Sequence, residues 1–230
     1  YSNNFDKFMI YQDDSLYTAE FWNVNQVKAG DNLIAYLDNS NMFKVFYYGT
    51  KEIIDNIPPR SFKVSKNVIA YISNLGDFII WDKGDINEIQ YQAPSWYACG
   101  EDFVAYVDDM NAFSIYYNGE VQQLLTYKPD MIKIKDNVLV YTDDFGALYA
   151  FFNGEVIRLN SFTPDKVLLD KDVVVFRDNY GYLKGILRGE KMAFSKEIAI
   201  DFDVFNSTVV YQPNKVKWIV FNEGKYYNYP

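Results

Sequence analysis

The residues of this chain that could do chemistry are carboxylates that recur at one turn position. They are Asp38, Asp108, Asp143 and Asp178, with Ser73 at the matching place, and the next position holds Asn39, Asn74, Asp109, Asp144 and Asn179. Two carboxylates of suitable separation can hydrolyse a glycosidic bond. Aspartate and asparagine also start turns by accepting hydrogen bonds from their own backbone. Repetition favours the turn, because a catalytic residue is normally unique to one copy.

Other catalytic resources are missing from the sequence. It contains no histidine, which removes Ser-His-Asp and Cys-His catalysis and the usual zinc ligand sets. Its one cysteine, Cys99, lies in an apolar strand pattern and is expected to be a small buried hydrophobe. We therefore expect no catalytic residue, no metal and no cofactor, with a carboxylate-based glycosidase or lyase as an alternative.

These carboxylates belong to a repeat with an unvarying spacing of 35 residues. Its copies begin at Asn32, Asn67, Asp102, Asn137, Asp172 and Ser207 and continue with apolar residues to a tyrosine or phenylalanine. A fixed period of this size is typical of repeat architectures.

Each copy predicts four short strands. In one sample unit they are Phe62–Ser65, Val68–Ile72, Phe78–Trp81 and Ile86–Tyr91. The dipeptides Asn118-Gly119 and Asn153-Gly154 suit tight hairpins between the third and fourth strands. Prolines 35 residues apart mark an irregular crossing to the next unit, at Pro59, Pro94, Pro129 and Pro164.

Repeated four-stranded meanders predict an all-β fold, a β-propeller of antiparallel four-stranded blades. Six complete blades fit, and we expect one domain over residues 1–230, with a partial blade at 1–26 that opens at its third strand. We favour seven blade positions with one incomplete, while six blades with an extra hairpin, or missing upstream residues, also fit. The complete blades span 27–55, 62–90, 97–125, 132–160, 167–195 and 202–230.

The charge and the aromatic residues suggest a protein partner. A net charge of −9 disfavours nucleic acid and anionic membrane surfaces, and no apolar run is long enough to span a membrane. The carboxylates at 38, 108, 109, 143, 144 and 178 would form a negative ring on one face that attracts a basic partner. Trp96, Tyr97 and Tyr127 lie at predicted blade crossings, where they could anchor a protein or stack on a glycan.

The stretch from Asp136 to Tyr149, a strand followed by Asp143-Asp144-Phe145-Gly146 and an aromatic strand, resembles bacterial TolB-like and PQQ-type propeller repeats. The resemblance covers the fold and transfers no binding residue. The residue usage resembles that of AT-rich bacteria, in which periplasmic propellers often serve envelope machinery. These likenesses imply a non-enzymatic interaction module in a larger envelope or secretion complex, outside the cytoplasm, although a cytoplasmic location also fits. A glycan-binding lectin is the alternative.

Overall fold

The structure is a computed structural model that describes residues 7–230, and the described chain is all β. Its strands pair in sequence order as antiparallel meanders, as predicted. Residues 1–6 of the predicted partial blade lie outside the described residues. The chain divides into two compact units, of which the first ends at Lys128 and the second begins at Pro129, in a predicted blade crossing.

The first unit contains a two-stranded sheet and three four-stranded sheets within the described residues. The two-stranded sheet is Phe8–Gln12 (β1) and Ser15–Glu20 (β2). The four-stranded sheets are Asn25–Ala29 (β3), Leu33–Leu37 (β4), Phe43–Tyr47 (β5) and Thr50–Asp55 (β6); Ser61–Val64 (β7), Val68–Ile72 (β8), Phe78–Asp82 (β9) and Asp85–Gln90 (β10); and Trp96–Cys99 (β11), Phe103–Val107 (β12), Phe113–Tyr117 (β13) and Glu120–Leu125 (β14).

The second unit contains three four-stranded sheets. They are Ile132–Lys135 (β15), Val138–Thr142 (β16), Leu148–Phe152 (β17) and Glu155–Asn160 (β18); Val167–Asp170 (β19), Val173–Arg177 (β20), Leu183–Leu187 (β21) and Glu190–Ala193 (β22); and Asp201–Phe205 (β23), Thr208–Asn214 (β24), Lys217–Asn222 (β25) and Lys225–Tyr229 (β26). The predicted blade boundaries and the number of blade positions in the ring stay predictions.

The second and third strands of the four-stranded sheets carry the core, and both of their faces are largely covered except in the last sheet, where β24 and β25 are buried at alternate positions. The repeated aromatic position of the second strand is buried in every copy, as the repeat predicted: Tyr36, Tyr71, Tyr106, Tyr141, Phe176 and Tyr211. Rings meet between neighbouring sheets, for example Phe43 with Tyr71 at 5.3 Å and Phe78 with Tyr106 at 5.2 Å between centroids. Such edge-to-face and tilted contacts add to the free energy of apolar burial.

A lysine on or beside the first strand of a sheet joins it to the following sheet. In the first unit, Lys63 donates from its Nζ to the carbonyl oxygen of Tyr97 at 2.6 Å and lies over the Tyr97 ring. In the second unit, Lys133 donates to Val167 at 2.8 Å, and Lys166 donates to the carbonyl oxygen of Phe202. Each lysine donates to the sheet that comes later in the chain.

Candidate functional site

The recurring carboxylates build the hairpins between the second and third strands. Oδ1 of Asp108 accepts hydrogen bonds from the backbone N–H groups of Met110 at 2.9 Å and Ala112 at 2.7 Å. Asp38, Asp143 and Asp178 accept the same pair of bonds, and Ser73 Oγ replaces the carboxylate in its own hairpin. The structure therefore gives each of these carboxylates a role in the turn.

Two of these carboxylates are also neutralised by a lysine. Asp38 is buried and its Oδ2 lies 2.7 Å from Nζ of Lys44, and Asp178 lies 2.7 Å from Lys184 in the same way. Burial opposes ionisation of each carboxyl, but the lysine and the backbone N–H donors outweigh it and hold both pKa values below the usual range. Asp109 and Asp144, which follow the turn carboxylates, are exposed to solvent.

An apolar side chain stands at the tip of four of these hairpins, two residues after the turn carboxylate or serine. These side chains, which we call the tip residues, are Leu75 (83% exposed) and Met110 (81%) in the first unit and Phe145 (86%) and Tyr180 (78%) in the second. The carboxylates were predicted as candidate site residues, whereas the tip residues were not. The signal was the same 35-residue spacing, shifted by two positions.

The crossings between sheets lie at the same end of the strands as the tips, because the second and fourth strands of a meander run parallel. In the first unit, Arg60 of a crossing donates to the carbonyl oxygens of Asn74 and Leu75. In the second unit, Thr163 donates to the carbonyl oxygen of Gly146 at 2.9 Å. The crossings add further exposed apolar side chains beside the tips: Trp22, Ile57 and Tyr91 in the first unit and Phe162 and Ile198 in the second.

Two of the three aromatic residues predicted at crossings, Trp96 and Tyr97, lie in a strand, and the third, Tyr127, is half-buried in a crossing. Trp96 and Tyr97 belong to strand β11, because pairing with β12 begins two residues after Pro94. Tyr97 is only 7% exposed, its hydroxyl lies 2.9 Å from Ser61 Oγ, and its ring packs on Phe78. Tyr127 does lie in a crossing and is half-buried. Tyr97 is therefore part of the packing between sheets and forms no part of the surface.

Asp82 is a buried carboxylate that breaks the repeat, since Tyr47, Tyr117 and Phe152 occupy the same position of other sheets. Its Oδ2 accepts a hydrogen bond from the Tyr116 hydroxyl at 3.1 Å, whereas Oδ1 accepts none and lies 3.9 Å from Lys83 Nζ. Burial is the main cause that raises the pKa of Asp82, and Lys83 offsets only part of it.

Replacing Asp82 by asparagine is expected to increase stability at neutral pH. A carboxyl whose folded-state pKa is raised stabilises the fold below its ordinary pKa of about 4, and this contribution is lost as the pH rises through the raised value. The gain from Asp82→Asn should therefore vanish in acid. Urea unfolding across a pH series measures it, with the exposed Asp85→Asn as control. A gain that persists below the ordinary pKa would contradict this account.

Cys99 has the environment of a structural thiol. Burial raises its pKa to about 12, so the thiolate that a nucleophile requires is scarce at neutral pH. Among residues 7–230 no cluster of three or more histidine, cysteine, aspartate or glutamate side chains could hold a metal ion. No helix in this described part of the chain is long and apolar enough to cross a membrane.

The successive four-stranded antiparallel sheets define a β-propeller repeat protein. The sequence profile of the 10-bladed beta propeller domain matches residues 1–78 and 73–227, and the chain belongs to that family. No curated protein sequence matches the chain.

Three solved structures illustrate the fold-level likeness. The computationally designed Ika8 protein is 14% identical, with a TM-score of 0.35 over 90% of this chain and 74% of that chain. Prp20p from Saccharomyces cerevisiae is 10% identical, with a TM-score of 0.41 over 86% and 71%. PorZ from Porphyromonas gingivalis is 9% identical, with a TM-score of 0.35 over 90% and 33%. The family assignment comes from the sequence profile.

Proposed function

We propose that the chain is a non-enzymatic module that binds another protein through the tip residues. The observation that carries this proposal is the recurrence of a large, highly exposed apolar side chain at one turn position, twice in each unit. Isolated exposed apolar residues need no explanation, but apolar groups that recur at loop tips mark an interaction surface. Long apolar and aromatic side chains of this kind supply the anchors that dominate protein interfaces.

The turn itself does not require these apolar side chains. In the hairpin that begins at Asp38, the tip position holds Ser40, and its backbone N–H donates to Asp38 Oδ1 at 2.8 Å as in the other hairpins. The hydrogen bonds that close the turn involve only the backbone of the tip residue. Folding therefore does not constrain which residue type occupies the tip position. The presence of apolar side chains there in four hairpins supports a role in binding.

The charge beside the tips indicates which kind of protein surface fits. Exposed Asp109 follows a turn carboxylate next to Met110, and exposed Asp144 lies next to Phe145. Together with the net charge of −9, these carboxylates favour a partner that presents apolar pockets edged by lysine or arginine. Such a partner would associate faster at low ionic strength.

Exchanging the tips for serine tests the proposal and reproduces the hairpin that already carries Ser40. We expect Leu75→Ser with Met110→Ser, or Phe145→Ser with Tyr180→Ser, to reduce capture of the native partner by at least about tenfold, because anchor residues contribute about 2 kcal/mol or more each. Capture by the tagged chain is quantified by mass spectrometry and followed by affinity measurement with the purified partner. Ile86→Ser with Val121→Ser is the matched control, since both side chains are 51% exposed on fourth strands.

A second arm of the experiment separates charge from apolar contact. Asp109→Asn with Asp144→Asn should flatten the salt dependence of partner binding. The proposal is overturned if both tip variants bind the partner as tightly as the control, or if the control loses binding to the same extent.

A further inference from the structure

A cleft of about 730 Å³ lies between the last two sheets of the second unit. The hairpins that join the third and fourth strands line it, at Leu187 and Arg188 in one sheet and Asn222 and Glu223 in the next. The turns between first and second strands close it, at Lys171 and Ser207. The cleft is thus at the opposite end of the strands from the tip residues, and its volume falls in the range of small-molecule sites.

Leu187, which lines the cleft, is smaller than the residue at the same position of the preceding sheet. In the preceding sheet of the same unit that position is Phe152, whose ring lies 2.9 Å from where a Cβ on Gly189 would stand. The equivalent glycine opposite Leu187 is Gly224, and no atom lies within 4 Å of its corresponding point. A phenylalanine fills the space between two sheets, and the leucine leaves it empty.

Several polar side chains at the mouth of the cleft are exposed to solvent and lack partners within the described part of the protein. Among the described residues, the side chains of Lys171, Asn206, Asn222 and Glu223 form no hydrogen bond or ion pair. Arg188 uses only its Nε, which donates to Asp172 Oδ2 at 3.2 Å, and Asp172 Oδ1 accepts from the Ser207 hydroxyl at 2.7 Å. The cleft therefore presents donors and acceptors that are available to a ligand, beside an Arg188–Asp172–Ser207 group that hydrogen bonds hold in place.

We propose that this cleft binds a neutral carbohydrate. Its two cationic side chains, Lys171 and Arg188, are balanced by Asp172 and Glu223, so it selects for neither an anion nor a cation. Sugar hydroxyls both donate and accept hydrogen bonds. They can therefore pair with the amides of Asn206 and Asn222, the ammonium of Lys171 and the carboxylate of Glu223. The side chains of Leu187 and Met192 offer an apolar wall for the C–H groups of a sugar ring. This site is independent of the tip residues.

The variant Leu187→Phe tests the proposal, because it copies the packing of Phe152 and closes the cleft. Maltotriose, cellotriose and chitotriose serve as neutral probes in isothermal titration, preceded by a neutral glycan array. We expect the wild-type chain to bind at least one of them, and Leu187→Phe to lose at least about tenfold in affinity while keeping its thermal midpoint. Asn206→Ala with Asn222→Ala should weaken the same glycan without filling the cleft.

The tip-serine variants provide the control, since they should bind the glycan as wild type does even where they lose the protein partner. Failure of every neutral glycan to bind the wild type would overturn the proposal, as would undiminished binding by Leu187→Phe. Saturation of the cleft by inorganic phosphate with release of the glycan would show an anion site and would also overturn it.

Discussion

Replacing Lys44 by methionine is expected to lower the free energy of unfolding by about 3–5 kcal/mol, because it leaves the buried Asp38 carboxylate without its counter-charge, while Glu20 keeps its ion pair with Lys51 at 3.3 Å. Lys44 is 7% exposed on strand β5, and its Nζ lies 2.7 Å from Asp38 Oδ2 and 2.9 Å from Glu20 Oε1. Glu20 also accepts a hydrogen bond from the Tyr36 hydroxyl at 3.0 Å. Lys44 thereby joins the sheet of β1 and β2 to the sheet of β3–β6.

The effect should depend on pH with a definite sign. Burial alone would raise the pKa values of Glu20 and Asp38. Lys44 and the other groups around each carboxylate, the Tyr36 hydroxyl and Lys51 at Glu20 and two backbone N–H donors at Asp38, outweigh burial and lower both pKa values. Carboxyls with depressed pKa values stabilise the fold above the ordinary value of about 4, and this contribution is lost as the pH falls through the folded-state value. The deficit of Lys44→Met should therefore be full at neutral pH and shrink in acid.

Lys184→Met is the matched control for this prediction. Lys184 occupies the same position in another sheet and contacts Asp178 at the same 2.7 Å, but its side chain is 52% exposed. Lys184 has one carboxylate partner where Lys44 has two, and solvent screens its half-exposed ammonium group, so the loss of stability should be smaller than for Lys44→Met. Guanidinium unfolding of both variants measures the difference. Equal losses would show that burial of the lysine is not what matters.

Gly185→Ala is expected to destabilise the second unit by about 3 kcal/mol or more, at the upper end of overpacking effects. Gly185 lies in the middle of β21, and a Cβ there would stand 1.8 Å from the carbonyl oxygen of Val174 on the paired strand β20. A backbone atom of the same sheet cannot move aside as a flexible side chain does. The alanine should therefore displace β21 and disrupt its ladder.

Gly224→Ala separates this clash from the general effect of adding a methyl group to glycine. Gly224 has a φ of +79°, and no atom lies within 4 Å of its added Cβ. Only left-handed strain remains, which amounts to roughly 1–2 kcal/mol. Thermal and urea unfolding of the two variants test the comparison, and the prediction is wrong if Gly185→Ala is the milder change.

The fixed period made most of the fold predictable, because it set the register of every strand from one copy. The last blade was predicted at 202–230 and its strands run from Asp201 to Tyr229. The turn function of Asp108 and its equivalents followed from the same repetition. The placement of Trp96 and Tyr97 in a strand could not be predicted from the repetition. Pro94 marks a crossing, but it does not indicate the residue at which the next strand begins to pair.

The features that depart from the repeat were beyond sequence reasoning for a physical reason. Lys44 and Glu20 are 24 residues apart on different sheets, and nothing in their local sequence predicts the contact between them. The cleft depends on the difference in size between Leu187 and Phe152, both of which read as ordinary core residues. The exposure of Met110 and Phe145 required knowing that these two residues enter the turn bonds only through their backbone N–H groups.

The lysines that join neighbouring sheets make the series of sheets in each unit directional. Lys63 and Lys133 each donate forward to a carbonyl oxygen of the following sheet, so each of these two junctions has a donor side and an acceptor side that differ. Such a junction is heterologous, and it can be extended only head to tail. A duplicated 35-residue segment would therefore meet compatible neighbours on both sides. The series of sheets could gain or lose whole repeats during evolution while the contacts between neighbouring sheets are preserved.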